Sequence, residues 1–246
     1  MVSILKKEFT SFYSSFLGVG LMLILFLALG LFTWVLEGNL LDFGFAEMSV
    51  FFDIIPWFLI LFIPTLTMRL FAEEKENQSI DLLKILPISG NQIIMGKILG
   101  VFLVILVSLV PTLLYVVSLK VLSIGSELDY SIVVGQYLSL LILAFTLIQI
   151  STLASLFTSK QSVAFVVSVF CSYICWEGLM QLKSVIAVNL FDLDYFALKS
   201  HFYNLSIGVI RISELVFFLG INLILFKLEV IRFNKILKKR YRIYFL

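Results

Sequence analysis

Long stretches with hardly a charge in them recur along this chain, near 16–36, 54–70, 98–119, 132–157, 163–180 and 212–230. They leave it few ways to fold. A helix rises about 1.5 Å per residue, so about 20 apolar residues cross the roughly 30 Å hydrocarbon core of a bilayer. Each run is continuously apolar rather than alternating, which argues for helices and against a β-barrel. Composition agrees: 61 % of the residues are hydrophobic and 14 % charged, where a soluble domain carries about 25 % charged residues. The expectation is an all-α integral membrane protein with six transmembrane helices, forming one domain over 1–246.

Lys6 and Lys7 ahead of the first run give it the look of a signal peptide. The run is too long for that, and Trp34, Glu37 and Gly38 follow it with no small-x-small cleavage site, so a retained span is expected. Lys and Arg set the orientation. With the N-terminus in the cytoplasm, fourteen of the eighteen fall on that side, including Arg69, Lys75, Lys84, Lys97, Lys160 and everything from Lys227 onward. Only Lys120, Lys183, Lys199 and Arg211 fall opposite. That bias places both termini in the cytoplasm. The basic end Lys235 to Arg242 reads as an anchor to anionic lipid, and a nucleic-acid partner is not expected.

Leu5, Phe9, Phe12 and Phe16 recur at helical spacing, with Lys6, Lys7, Thr10, Ser11 and Ser14 on the remaining face. The pattern suits an amphipathic helix lying in the inner interface; the alternative is a first span that simply begins early. The fifth run meets Glu177 early, and the sixth starts among Arg211 and Glu214, three apart and able to pair on one helical face. Between them, 182–211 reads as a re-entrant or interfacial hairpin or as a plain outer loop. Glu177, His201, Arg211 and Glu214 are its candidate functional residues. Pro64 is a candidate hinge in the second span, with Thr65 and Thr67 available to bond the carbonyls it frees.

What the runs lack narrows the chemistry. Asp53, Arg69, Glu177, Glu214 and Lys227 sit near span ends, and no ionisable group marks mid-membrane for an ion-driven carrier. One histidine, His201, provides no metal site of the H-E-x-x-H kind and reads as solvated or interfacial. Cys171 and Cys175 read as packing residues. Neither G-x-S-x-G nor a G-x-x-x-x-G-K-[ST] phosphate loop occurs, so neither a serine hydrolase nor an ATPase of that kind is encoded.

The charged segment 69–89, RLFAEEKENQSIDLLKILPIS, stands apart in this apolar chain. Its acidic approach runs over 73–76. Ser79 is placed to cap a short helix over 79–86 with Asp81 in its first turn, and Pro87 to end it. Ile80, Leu83 and Leu86 give that helix an apolar edge suited to a protein groove. Ser89 and Gln92 form a potential capping box for the helix that follows. From these residues alone an ordinary interfacial loop remains an equal reading.

The series Arg69, Phe71, Glu73, Glu74, Lys75, Ser79, Ile80, Asp81, Leu82, Leu83, Pro87, Ile88, Ser89, Gly96 and Lys97 resembles the first cytoplasmic loop of ABC-2 type permeases. A second set, Trp34, Glu37, Gly38, residues 42–46, Phe51, Phe52, Pro56, Trp57 and Pro64, then His201, Phe202, Gly208, Val209, Ile210 and Phe217, resembles the gliding-motility-associated branch of that family. Gln78 stands where the family usually has glycine, and Glu214 where it usually has aspartate. The resemblance implies an ABC-2 permease fold and a coupling helix, carried here by Glu73, Glu74, Lys75, Ser79, Ile80, Asp81, Leu82, Leu83, Leu86 and Pro87. It implies two copies of a separate ABC ATP-binding subunit holding ATP and magnesium, with no cofactor on this chain. It also implies a second permease subunit or homodimer, no enzymatic activity of the chain itself, and a bacterial inner membrane. A non-transporting scaffold of a motility or secretion complex is the alternative; an intramembrane enzyme is weaker, since no paired catalytic side chains meet in the spans.

Overall fold

The computed structural model describes residues 1–37, 39–40, 48–81, 89–123, 128–186, 193–208 and 211–241. Every regular element among them is helical. The chain opens with α1 (Val2–Ser14) and α2 (Phe16–Trp34), set 70° apart. Ser15 between them is extended, with φ −86° and ψ 126°. Gly18 makes the corner possible: a methyl group there would run into the Phe12 carbonyl.

The third helix, α3 (Ser49–Met68), continues through a π-helical turn, Arg69–Glu73, into a final turn, Glu74–Glu76. It stays helical through Pro56 and Pro64. A proline at 64 leaves the carbonyl four residues back, at Ile60, without its amide. Thr65 and Thr67 do not reach that group; they donate to Phe62 O at 2.6 Å and Ile63 O at 3.1 Å. The departure from α geometry falls at the π turn, below the proline.

After a segment outside the described residues come α4 (Gly90–Leu109), a 3-10 turn (Val110–Thr112) and α5 (Leu113–Leu122). The capping box expected at Ser89 and Gln92 starts α4, and Ser89 N donates to Gln92 Oε1 at 3.3 Å. Next is α6 (Tyr130–Phe157), whose N-terminus Asp129 caps by accepting from Ser131 N at 2.9 Å. Within its apolar stretch 72 % is buried, against 28 % for the span that follows, so α6 is the central post and that span is peripheral. That outer span is α7 (Gln161–Tyr173), a π turn (Ile174–Gly178) and α8 (Leu179–Ile186). A 3-10 turn (Leu193–Phe196), α9 (Leu198–Ser206) and α10 (Ile212–Tyr241) complete the chain. The segment between the fifth and sixth apolar runs is therefore built largely of short helices.

Four helices among the described residues are long and apolar enough to cross a membrane: Ser49–Glu76, Gly90–Leu122, Tyr130–Phe157 and Gln161–Leu182. The bent pair α1 and α2 makes a fifth if read as one span. The expected sixth, α10, has the length at 30 residues but carries Glu214, Lys227 and Glu229 in the stretch expected to cross.

The N-terminal helix exists, but its face is not the one the spacing suggested. Ile4 is buried, while Leu5, Phe9 and Phe12 are half-buried and Phe16 is 92 % exposed. The break at Ser15 takes Phe16 off the face, and α1 packs on α4 instead of presenting all four residues to lipid. Gly96 and Gly100, one turn apart on α4, admit it: a methyl on Gly96 would lie 3.2 Å from Met1 O and from Ile4 Cβ, and one on Gly100 only 2.8 Å from Glu8 Cβ. Such glycines let helix backbones approach closely. Gly100→Val is expected to push α1 off α4 and destabilise the protein by about 1–3 kcal/mol, the usual cost of overpacking. Thermal unfolding of the purified protein in lipid nanodiscs checks this, and an unchanged midpoint would contradict the packing.

Candidate coupling site

The root of the charged loop is tied to the rest of the molecule on two sides. A π turn inserts one residue into an α-helix and disturbs its hydrogen-bond ladder, and such turns recur at functional sites. Here the disturbed groups are met by one side chain. Ser155 Oγ on α6 accepts from Phe71 N at 3.3 Å and Ala72 N at 3.1 Å, and donates to Met68 O at 3.3 Å. A hydroxyl has one donor and two acceptor sites, so its capacity is used in full.

Four residues on, Lys75 Nζ donates to Ser155 O at 3.0 Å, Leu156 O at 2.6 Å and Thr158 O at 2.8 Å. These carbonyls at the end of α6 have no intrahelical amide, and a cation there also complements the helix dipole. Glu76 Oε2 accepts from Gln161 N at 3.4 Å, at the start of α7. Adjacent residues of opposite charge thus hold the two helix ends that flank the α6–α7 turn.

On the second side stands Lys97 of α4, 2 % exposed. Its ammonium donates to Leu70 O and to Glu74 Oε1, the latter at 2.6 Å, and lies 3.5 Å from Glu8 Oε1 on α1. It also sits 4.8 Å from the centre of the Phe71 ring. Removing an ammonium from water costs several kcal/mol, offset here by two carboxylates, a carbonyl and an aromatic face. Phe71 in turn packs on Phe233 of α10, ring centres 5.4 Å apart. Gly90 lies against the same Phe233 ring. Ends of α1, α3, α4, α6, α7 and α10 therefore meet around this root.

The sequence-predicted loop residues divide accordingly. Glu74 and Lys75 face inward to these contacts. Glu73 closes the π turn, and Ser79 donates to Glu74 O at 3.4 Å; the helix expected over 79–86 lies mostly outside the described residues. Ile80 is 1 % exposed, so it packs within this chain and is unavailable to a partner's groove. Asp81 ends a 3-10 turn, Ser79–Asp81; Leu82, Leu83, Leu86 and Pro87 lie outside the described residues. Gln78 turns the chain into the loop with φ +56°, the left-handed region that disfavours side chains. Glycine would take that conformation freely.

A second cluster forms at the other end of α6, where Gly135 lies against Gly208. His201, expected as a solvated or interfacial residue, is 3 % exposed. Its Nδ1 bonds Glu214 Oε2, its Nε2 lies 2.6 Å from Tyr195 O, and its ring stacks on Phe217 at 3.5 Å. Glu214 also accepts from Asn204 Nδ2 at 3.3 Å. The Arg211–Glu214 pairing is not made; Glu214 is spent on His201, which α9 brings across. Glu177 pairs with Lys199 at 2.8 Å, which lets the fifth span run on past an acid in mid-helix. Tyr203 donates to Asp53 at 2.7 Å, and burial, then that hydrogen bond, hold its phenol above the ordinary tyrosine range.

Glu214 keeps its expected place near a span end, but the expectation that its side chain snorkels to water there needs correcting. Glu229 of α10 is fully buried and Glu214 is 6 % exposed. Sequence reasoning overlooked Glu229, Ser155 and Glu8, and treated Lys97 only as a cytoplasmic charge and part of a motif. One signal was present: Gly96-Lys97-Ile98-Leu99-Gly100 sets a lysine between glycines that invite a helix.

The fold defines a multi-pass, all-α membrane protein with a charged loop rooted among its helix ends. A profile of the ABC-2 family transporter proteins matches residues 39–180, more than half the chain, and the chain belongs to that family. No curated protein matches it.

Ser155→Ala strips the π turn of its partner. The cost of unmet buried amides is about 1–3 kcal/mol, and faster hydrogen exchange at Phe71 and Ala72 is expected; retained protection there would contradict the assignment. Gln78→Gly is expected to raise the unfolding free energy by up to ~1 kcal/mol by relieving the left-handed conformation. Chemical denaturation measures it, and a loss of stability would show that the glutamine side chain is needed.

Proposed function

We propose that this chain is the membrane subunit of an ATP-driven transporter, energised by a separate ABC ATP-binding subunit that docks on the loop 69–89. The family membership supports this reading, since ABC-2 permeases work with such subunits. The observation that carries it is the root of the loop. Phe71, Ala72, Lys75 and Glu76 are bonded to the α6–α7 junction, and Glu74 to Lys97, so a displacement of the loop's root bears directly on three spans.

In this reading the chain is not itself an enzyme and binds no cofactor. ATP and magnesium are held by two copies of the partner, and a second permease or another copy of this chain completes the pathway. The host membrane is a bacterial inner membrane, with both termini cytoplasmic as the Lys and Arg distribution favours. Resemblance to the gliding-motility-associated permease GldF favours an exporter serving gliding motility. The left-handed turn at Gln78, where that family usually has glycine, is in keeping with it.

Asp81→Lys combined with Leu83→Ala tests the docking. Co-purification of the ATP-binding subunit is expected to fall at least tenfold while the permease still inserts and folds. An unchanged yield of complex would remove this loop from the interface.

A further inference from the structure

Lys97 does more than fill a buried position, because its ammonium is divided between two separate elements of the chain. Glu74 belongs to the loop root and Glu8 to α1, and the two carboxylates face one ammonium, at 2.6 Å and 3.5 Å. The second oxygen of Glu74 is buried and has no hydrogen-bond partner. Lys97 is therefore the cation that neutralises Glu74, and displacement of the loop root alters that contact first. Beneath the ion pairs, α1 meets α4 over Gly96 and Gly100, where α4 puts no side chain in its path. Ile4 and Glu8 lie directly over these two glycines, so the ion pairs and the close packing of α1 act on the same stretch of α4.

We propose that Lys97 is a positioning residue that transmits displacement of the loop root to α1, by exchanging its ammonium between Glu74 and Glu8. This rests on the transporter reading above. When the root draws Glu74 away, the ammonium turns to Glu8 and pulls α1 along α4; when Glu74 returns, the attraction is shared again and α1 is released. α1 thereby moves in step with the loop.

The experiment uses the full chain with its ATP-binding subunit in lipid nanodiscs, in a Cys171→Ala, Cys175→Ala background that removes the two free thiols. An environment-sensitive fluorophore is placed at Asn77→Cys to follow the loop or at Ser11→Cys to follow α1; both positions are exposed. With ATP and vanadate, both probes are expected to shift in the otherwise unsubstituted chain. Glu8→Gln is expected to keep the Asn77 response and reduce the Ser11 response at least fivefold, and Glu8→Asp to restore it, which a purely structural role would not require. Glu74→Gln is expected to move the resting Ser11 signal towards its nucleotide-bound value. A full Ser11 response in Glu8→Gln, or an unmoved resting signal in Glu74→Gln, overturns the proposal while leaving the transporter reading intact. A silent Asn77 probe in the otherwise unsubstituted complex overturns the transporter reading, and this inference with it.

Discussion

Where a backbone amide or carbonyl is buried away from water, every departure from helical geometry must be answered by another part of the protein. The π turn at Arg69–Glu73 is such a departure, and Ser155 answers it. Much else follows from that one hydroxyl. It fixes the height of α3 against α6, which puts Lys75 at the bare carbonyls ending α6 and Glu76 at the first turn of α7. Beyond this anchored base the chain turns at Gln78, which is left-handed at φ +56°, and Ile80 packs back within the chain.

The two ends of α6 use charge differently. At the loop root an ammonium is shared among several acceptors, and no single bond holds the arrangement. At the far end His201 has one acceptor at each ring nitrogen and an aromatic ring stacked on its face. The first arrangement can redistribute its bonds with little loss; the second has no spare partner. The molecule therefore has a compliant end and a pinned one, joined by its most enclosed helix.

The helical class, the membrane setting and four of the spans were legible because apolar length is a local property. The capping box at Ser89 and Gln92 was legible for the same reason, since both partners lie within one turn. Contacts between distant segments were not. Nothing near Ser155 announces that it serves residues more than eighty positions earlier, and the phenylalanine spacing of α1 could not reveal that Ser15 would break the helix before Phe16. Charge was read by position along a span, whereas burial depends on what lies across the interface. Hence His201 and Glu214 appeared as surface residues until α9 was folded over α10, and Ile80 as part of a partner-facing edge until the loop root was packed.

The glycine contact between α1 and α4 also has a bearing on how the protein is made. Roughly ninety residues separate Glu8 from Lys97, and at about 5–20 residues per second they take roughly 5–18 s to synthesise. Through that interval α1 lacks the α4 surface it packs on, and its lysines and half-apolar face suit it to the lipid headgroups. Lys97, for its part, cannot leave water cheaply until Glu8 and Glu74 are both in reach. The buried ammonium thus lacks one of its two carboxylates until the beginning of the chain has come back to meet α4.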